Sequence, residues 1–131
     1  MRPDTAPLSP HLQVYRFPLT VILSITHRVT GAVLAFGVLL LLYVLFAAVS
    51  GEQSYQTAHA LVASGLGQLL LFLWTFALYF HFCNGIRHLV WDVGYGLDHQ
   101  VLDKSAWIVL IVSTGLTLVT WLVALAAGGG A

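Results

Sequence analysis

The chain has 131 residues, of which 59% are hydrophobic and 8% charged, and its formal net charge is zero. This is far from the make-up of a soluble domain, and a neutral chain so poor in Lys and Arg has no electrostatic footprint for nucleic acid. A single cysteine, Cys83, excludes an intrachain disulfide framework and reads as a small buried hydrophobe.

Three stretches are apolar over the roughly 20 residues that a bilayer requires. They predict helices over about residues 20–49, 64–91 and 105–127. With no internal repeat and no long linker, the expectation is one all-α membrane domain over 1–131.

The first predicted helix starts near Thr20, and its apolar run extends from Val29 to Val49. It is too long for the core of a cleaved signal peptide, and polar groups lie just ahead of it. Near its start stands "SITHRVTG", residues 24–31. Ser24 lies one turn from Arg28 and three residues from His27, so the three are neighbours on a helix. Arg28 alone would read as a side chain snorkelling to the headgroups. Together, the hydroxyl, imidazole and guanidinium form a polar pocket at the membrane edge. Such a pocket suits a carboxylate, as on a haem propionate, or a quinone carbonyl at the end of an apolar slot.

The connector "SGEQSYQTAHA", residues 50–60, is polar and has no Lys or Arg. The second predicted helix follows and closes with "HFCNGIRHLVWD", residues 81–92. Its spacing puts His81, Gly85, His88 and Asp92 on one face, with Asp92 near water and His81 roughly 10 Å deeper than His88. Gly85 leaves a gap between the histidines, which fits either a closely approaching helix or something flat and bulky. His81 itself has two readings, a neutral imidazole bonded to a neighbouring helix or an axial ligand to haem iron.

A low-spin haem needs a second axial ligand at matching depth. The third span has no histidine, His59 and His99 are in connectors, and His11 is in the leader. His27 lies near the inner surface, too shallow by this count to face His81 across a haem plane. If His81 ligates haem, the opposite ligand therefore comes from another chain, and the three spans form part of a heteromeric helix bundle.

The connector "DVGYGLDHQVLDKS", residues 92–105, leads into the third span. Arg2, Arg16 and Arg28 precede or begin the first span, and Arg87 and Lys104 flank this second connector. The positive-inside rule then places the N-terminus in the cytoplasm and the C-terminus in the periplasm. Tyr15, Phe17, Trp91, Tyr95 and Trp107 would form the inner aromatic belt.

Two motifs carry a resemblance. Ser24, His27, Arg28 and Thr30, followed by Gly31, form Ser-x-x-His-Arg-x-Thr. His81, Gly85, Ile86, Arg87, His88, Leu89, Trp91, Asp92 and Gly94 form His-x-x-x-Gly-Ile-Arg-His-Leu-x-Trp-Asp-x-Gly. With the leader "PLSPHLQVYRFPLT", the chain resembles the cytochrome b membrane-anchor subunits of succinate dehydrogenase, respiratory complex II, over essentially its whole length. It departs from that pattern at Ala6-Pro7, where Arg-Pro is frequent, which touches only a leader contact with the soluble subunits.

The resemblance implies that His81 is an axial ligand of a haem b shared with a second small anchor subunit, which supplies the other ligand. It implies that Ser24 and Arg28 line a ubiquinone site, and that His27, Arg28 and His88 lie in the haem propionate region. His88 and Asp92 are also candidates for proton supply or subunit docking. Further implied partners are an iron–sulfur subunit, a flavoprotein subunit and membrane lipid. The chain has no cysteine set for an iron–sulfur cluster and no dinucleotide fingerprint. Succinate oxidation is therefore not expected on it, and no catalytic residue is assigned.

Three rival classes are weaker. A menaquinol-linked fumarate reductase anchor would run similar chemistry in reverse, but the motifs favour the succinate side. A small transporter would have no need for His81 together with the Ser24–His27–Arg28 cluster. A self-contained two-haem cytochrome needs histidine pairs at matched depths. The leader is not an Arg-rich, Ser-rich transit segment, so a bacterial inner membrane is expected ahead of a mitochondrial one.

Overall fold

The computed structural model describes residues 17–128. Among these residues there are four helices and no strand: α1, Leu19–Val49; α2, Glu52–Ala63; α3, Gly65–Asp92; and α4, His99–Ala126. Helices α1, α3 and α4 are long and apolar enough to cross a membrane, with mean hydropathies of 2.8, 1.6 and 2.4 in their most apolar windows. The expected all-α membrane architecture is what the chain adopts. Arg2, His11, Tyr15 and Arg16, together with most of the family-like leader, lie outside the described residues.

Two stretches read as connectors are helical. Residues 52–63 form α2, whose Glu, Gln and Ala favour helix although no apolar run marks it. Glu52 in its first turn complements the helix dipole and accepts a hydrogen bond from Gln56 one turn on. At 12 residues, or about 18 Å, α2 is too short to span a bilayer. The fourth helix begins at His99, ahead of its apolar run, because backbone pairing continues beyond the slab that an apolar count detects.

Ser64 ends α2 and caps α3, its Oγ accepting from the Gly67 amide at 3.0 Å. At the other end of α3, Tyr95 N donates to Val90 O and Gly94 N to Trp91 O, with Gly94 at φ 85°. This is a Schellman closure, and the left-handed position is filled by glycine.

Helix α3 is central, packed against both α1 and α4, and α1 also touches α4. Leu23, Phe80, Ala106 and Val109 form a small core where the three meet. Polar clasps line the α3–α4 seam. In the half nearer α2, Tyr79 Oη and Thr120 Oγ1 are 2.8 Å apart, and Trp121 Nε1 donates to Thr75 Oγ1 at 3.4 Å. Buried Ser113 and Thr117 return their hydroxyls to carbonyls of their own helix, so α4 can approach closely without orphaned groups. On the α1–α3 seam, Gly37 lies against the Trp74 indole so closely that a Cβ there would overlap it. Most of α1 remains exposed, a surface suited to lipid or another membrane chain.

Candidate functional site

The N-terminal half of α1 and the C-terminal half of α3 bring three imidazoles into one stack. The rings of His27 and His81 have centroids 4.0 Å apart at 9°, and those of His27 and His88 are 5.1 Å apart at 16°. Trp91 extends the row, its ring 5.0 Å from His88. His27 thus occupies the gap over Gly85: a Cβ on that glycine would stand 3.9 Å from His27 Cε1.

The depth argument for His27 needs correction. His27 is not too shallow to meet His81, because α1 starts at Leu19 and leaves two full turns ahead of it. Antiparallel to α1, α3 carries His88 and His81 one and three turns from its C-terminal end, so His27 falls between them. Parallel rings 4.0 Å apart present faces to each other, whereas a metal-binding lone pair lies in the ring plane. His27 and His81 in this arrangement therefore cannot hold one metal between them.

His81 is held through Nδ1, which is 3.1 Å from the carbonyl oxygen of His27 and 3.2 Å from Thr30 Oγ1. Thr30 spends its own proton on the His27 carbonyl, at 2.9 Å, so both neighbours of Nδ1 act as acceptors. The proton of His81 accordingly sits on Nδ1, and Nε2 keeps its lone pair. Buried Thr30 and Gly31 share in this arrangement: a Cβ at Gly31 would come within 3.1 Å of His81 Cε1. His88 follows the same logic, donating from Nδ1 to Asn84 O at 2.8 Å and leaving Nε2 free. A hydrogen-bonded Nδ1 with a free Nε2 is the form in which histidine ligates a metal.

The other sequence candidates are placed less tightly. Ser24 is half-buried, Arg28 is exposed on α1, and Asp92 is exposed at the end of α3. The chain alone does not bring Arg28 or Asp92 onto the stack. A largely apolar cavity of about 660 Å³ runs outward from Thr30 between α1, α2 and α3, with Phe36, Leu70, Trp74 and Ala77 among its walls.

Sequence reasoning gave Arg87 no site role, taking it as a motif residue and a marker of orientation. Arg87 is 5% exposed and donates to Ser105 Oγ at 2.8 Å, Leu102 O at 2.9 Å and Asn84 Oδ1 at 3.4 Å. Its guanidinium lies over Trp91, 4.1 Å from the ring centroid. It clasps α4 to the C-terminal end of α3, just behind the face that carries the histidines. The available signal was its spacing of four residues from Trp91, which predicts contact on a helix.

Comparison with known proteins settles the family. The model of the succinate dehydrogenase/fumarate reductase transmembrane subunit matches residues 2–120. The chain belongs to this family. It is 42% identical over 117 residues to the succinate dehydrogenase cytochrome b556 subunit of Paracoccus denitrificans, covering 89% of this chain and 90% of that one. The corresponding subunit of Rickettsia felis is 36% identical over 115 residues, covering 88% and 90%. The mitochondrial cytochrome b560 subunit of Sus scrofa is 39% identical over 112 residues, covering 82% of this chain and 64% of its own length. The chain is thus a membrane subunit of an enzyme complex of this type, in keeping with its three apolar helices.

Proposed function

We propose that this chain is the cytochrome b anchor of a succinate:ubiquinone oxidoreductase, sharing haem b with a second anchor subunit and forming part of the ubiquinone site. The observation that carries the reading is His81, fixed through Nδ1 with Nε2 free at the inner half of the α1–α3 seam. The residues fit the group: an oriented imidazole stands beside an apolar cavity that begins at Thr30, and His27, Arg28 and His88 lie on its inner side. When bound, haem b supplies reversible one-electron redox chemistry at this depth.

The chain's own residues hold and orient. Thr30 and the His27 carbonyl fix the His81 ring, and Gly31 lets that ring lie close on α1. Arg28, exposed here, is free to meet a propionate or a quinone carbonyl once a partner closes the site. In a low-dielectric slot, its charge would stabilise negative charge growing on a carbonyl oxygen far more than it could in water. Ser24, one turn towards the inner end, offers a hydroxyl to the same oxygen. Asp92, exposed at the end of α3, and His88, the ring of the stack nearest that end, lie one turn apart, an arrangement suited to proton supply.

Succinate oxidation and electron delivery belong in this reading to a flavoprotein and an iron–sulfur subunit, which the anchor pair holds at the membrane. Arg28, Arg87 and Lys104 cluster at the end opposite α2, which supports a cytoplasmic N-terminus in a bacterial inner membrane and a periplasmic C-terminus. The relatives' names favour the succinate direction within a family model that spans both reactions.

The test is to purify the complex from membranes through this chain and quantify haem b per copy. One haem, with a second small hydrophobic subunit and two larger soluble ones, is expected. The same partners without haem would leave an anchor with a quinone pocket and return His81 to a structural role.

A further inference from the structure

Among the described residues, three buried side-chain polar atoms on the facing helices α1 and α3 have no hydrogen-bond partner: Nε1 of Trp74, which lies against Gly37 farther along the seam, Nδ1 of His27 and Nδ2 of Asn84. The last two concern the histidine stack. Their chemistry is complementary. Asn84 is fully buried, and Arg87 donates to its Oδ1. That bond fixes the amide, because the flipped rotamer would set two donors head to head. Nδ2 is therefore a donor lacking an acceptor, while an unprotonated His27 Nδ1 is an acceptor lacking a donor. The two residues are neighbours across the α1–α3 seam: His88, whose Nδ1 bonds to the Asn84 carbonyl, stacks on His27. The carbon between the two His27 nitrogens, Cε1, faces Gly85, and Asn84 is the residue before it.

We propose that Asn84 is a positioning residue that selects the tautomer of His27, its amide reaching Nδ1 through one bridging water. A water joining a donor and an acceptor in a buried polar gap satisfies both. The proton of His27 then resides on Nε2. The ultimate support is α4, since Ser105 Oγ and Leu102 O hold the guanidinium that holds the amide.

The consequence is a pattern along the stack. His81 and His88 both have Nδ1 occupied and offer Nε2 as an acceptor, whereas His27 between them offers Nε2–H as a donor. A donor at this position suits a carboxylate or quinone carbonyl oxygen, and a fixed tautomer makes it available without a proton rearrangement. That use rests on the function proposed above. The tautomer assignment does not.

The test is nitrogen NMR of the intact complex with ¹⁵N-labelled histidine, the His27 signals being those lost in His27→Gln. In the unmodified complex, Nδ1 should be unprotonated and Nε2 protonated. Asn84→Asp keeps the shape and the Arg87 contact but replaces the donor with an acceptor, so the Nδ1 signal should move into the protonated range. Asn84→Leu should show both tautomers, and Asn84→Ser, which restores a donor, should recover the single form. A protonated Nδ1 in the unmodified complex, or no change in Asn84→Asp, would overturn the proposal. The haem spectrum of the same samples reads the other question separately: a tautomer switch without haem would sink the haem assignment and leave the role of Asn84 intact.

Discussion

His81 donates from Nδ1 to the backbone carbonyl of His27, 3.1 Å away, and so one histidine of the stack orients the other through the main chain of α1. Thr30 supports the same nitrogen from its side chain. Removing this hydroxyl in Thr30→Val leaves the volume nearly unchanged but strips one of the two acceptors. If His81 ligates haem, retention should weaken about tenfold, the lower end of what loss of a ligand-orienting group costs. Transfer of haem to excess apomyoglobin measures it.

Gly31 tests the same ring from the other side. A methyl group at this position would stand 3.1 Å from His81 Cε1, tight enough to push the ring by a few tenths of an ångström. Gly31→Ala should preserve assembly while shifting the haem absorption band. Gly31→Val, with two more carbons in the same space, should abolish haem binding.

Farther out, packing is at stake and redox chemistry is not. Gly37→Ala would drive a methyl group into the Trp74 indole and should destabilise the α1–α3 seam by about 1–3 kcal/mol, the usual cost of overpacking. Thermal unfolding of the complex would show this loss, and adding Trp74→Leu should recover much of it, since the two side chains are in contact.

Arg28 carries the quinone prediction. Arg28→Leu should reduce succinate–quinone reductase activity roughly 10²-fold, the order seen when a charge-stabilising donor is removed. Subunit composition should be unchanged, because Arg28 is exposed on α1. Loss of the whole complex from membranes would mean that Arg28 acts in assembly.

The spans and their polar ends could be read from apolar run length, because α1, α3 and α4 each exceed what a bilayer needs. Helix α2 could not be found in that way. Its residues Glu52 to Ala63 form helix through local propensity and a cap shared with α3, and neither leaves an apolar signature. Contact between His27 and His81 was hidden because depth was counted from the apolar run, while the helix that carries His27 begins at Leu19. Arg87 was missed for a different reason. A basic residue near a helix end resembles an orientation signal, and only Leu102 and Ser105, 15 and 18 residues farther along, make it a buried clasp.

The most direct test of the central claim is the reduced-minus-oxidised absorption spectrum of the purified complex carrying His81→Leu, compared with the unmodified complex. Leucine suits the half-buried setting of His81 and should let the subunits assemble. With His81 as an axial ligand, the b-type bands should vanish or shift to a five-coordinate form while all four subunits co-purify. An unchanged spectrum in an intact complex would contradict the account and return His81 to a histidine that joins α3 to α1.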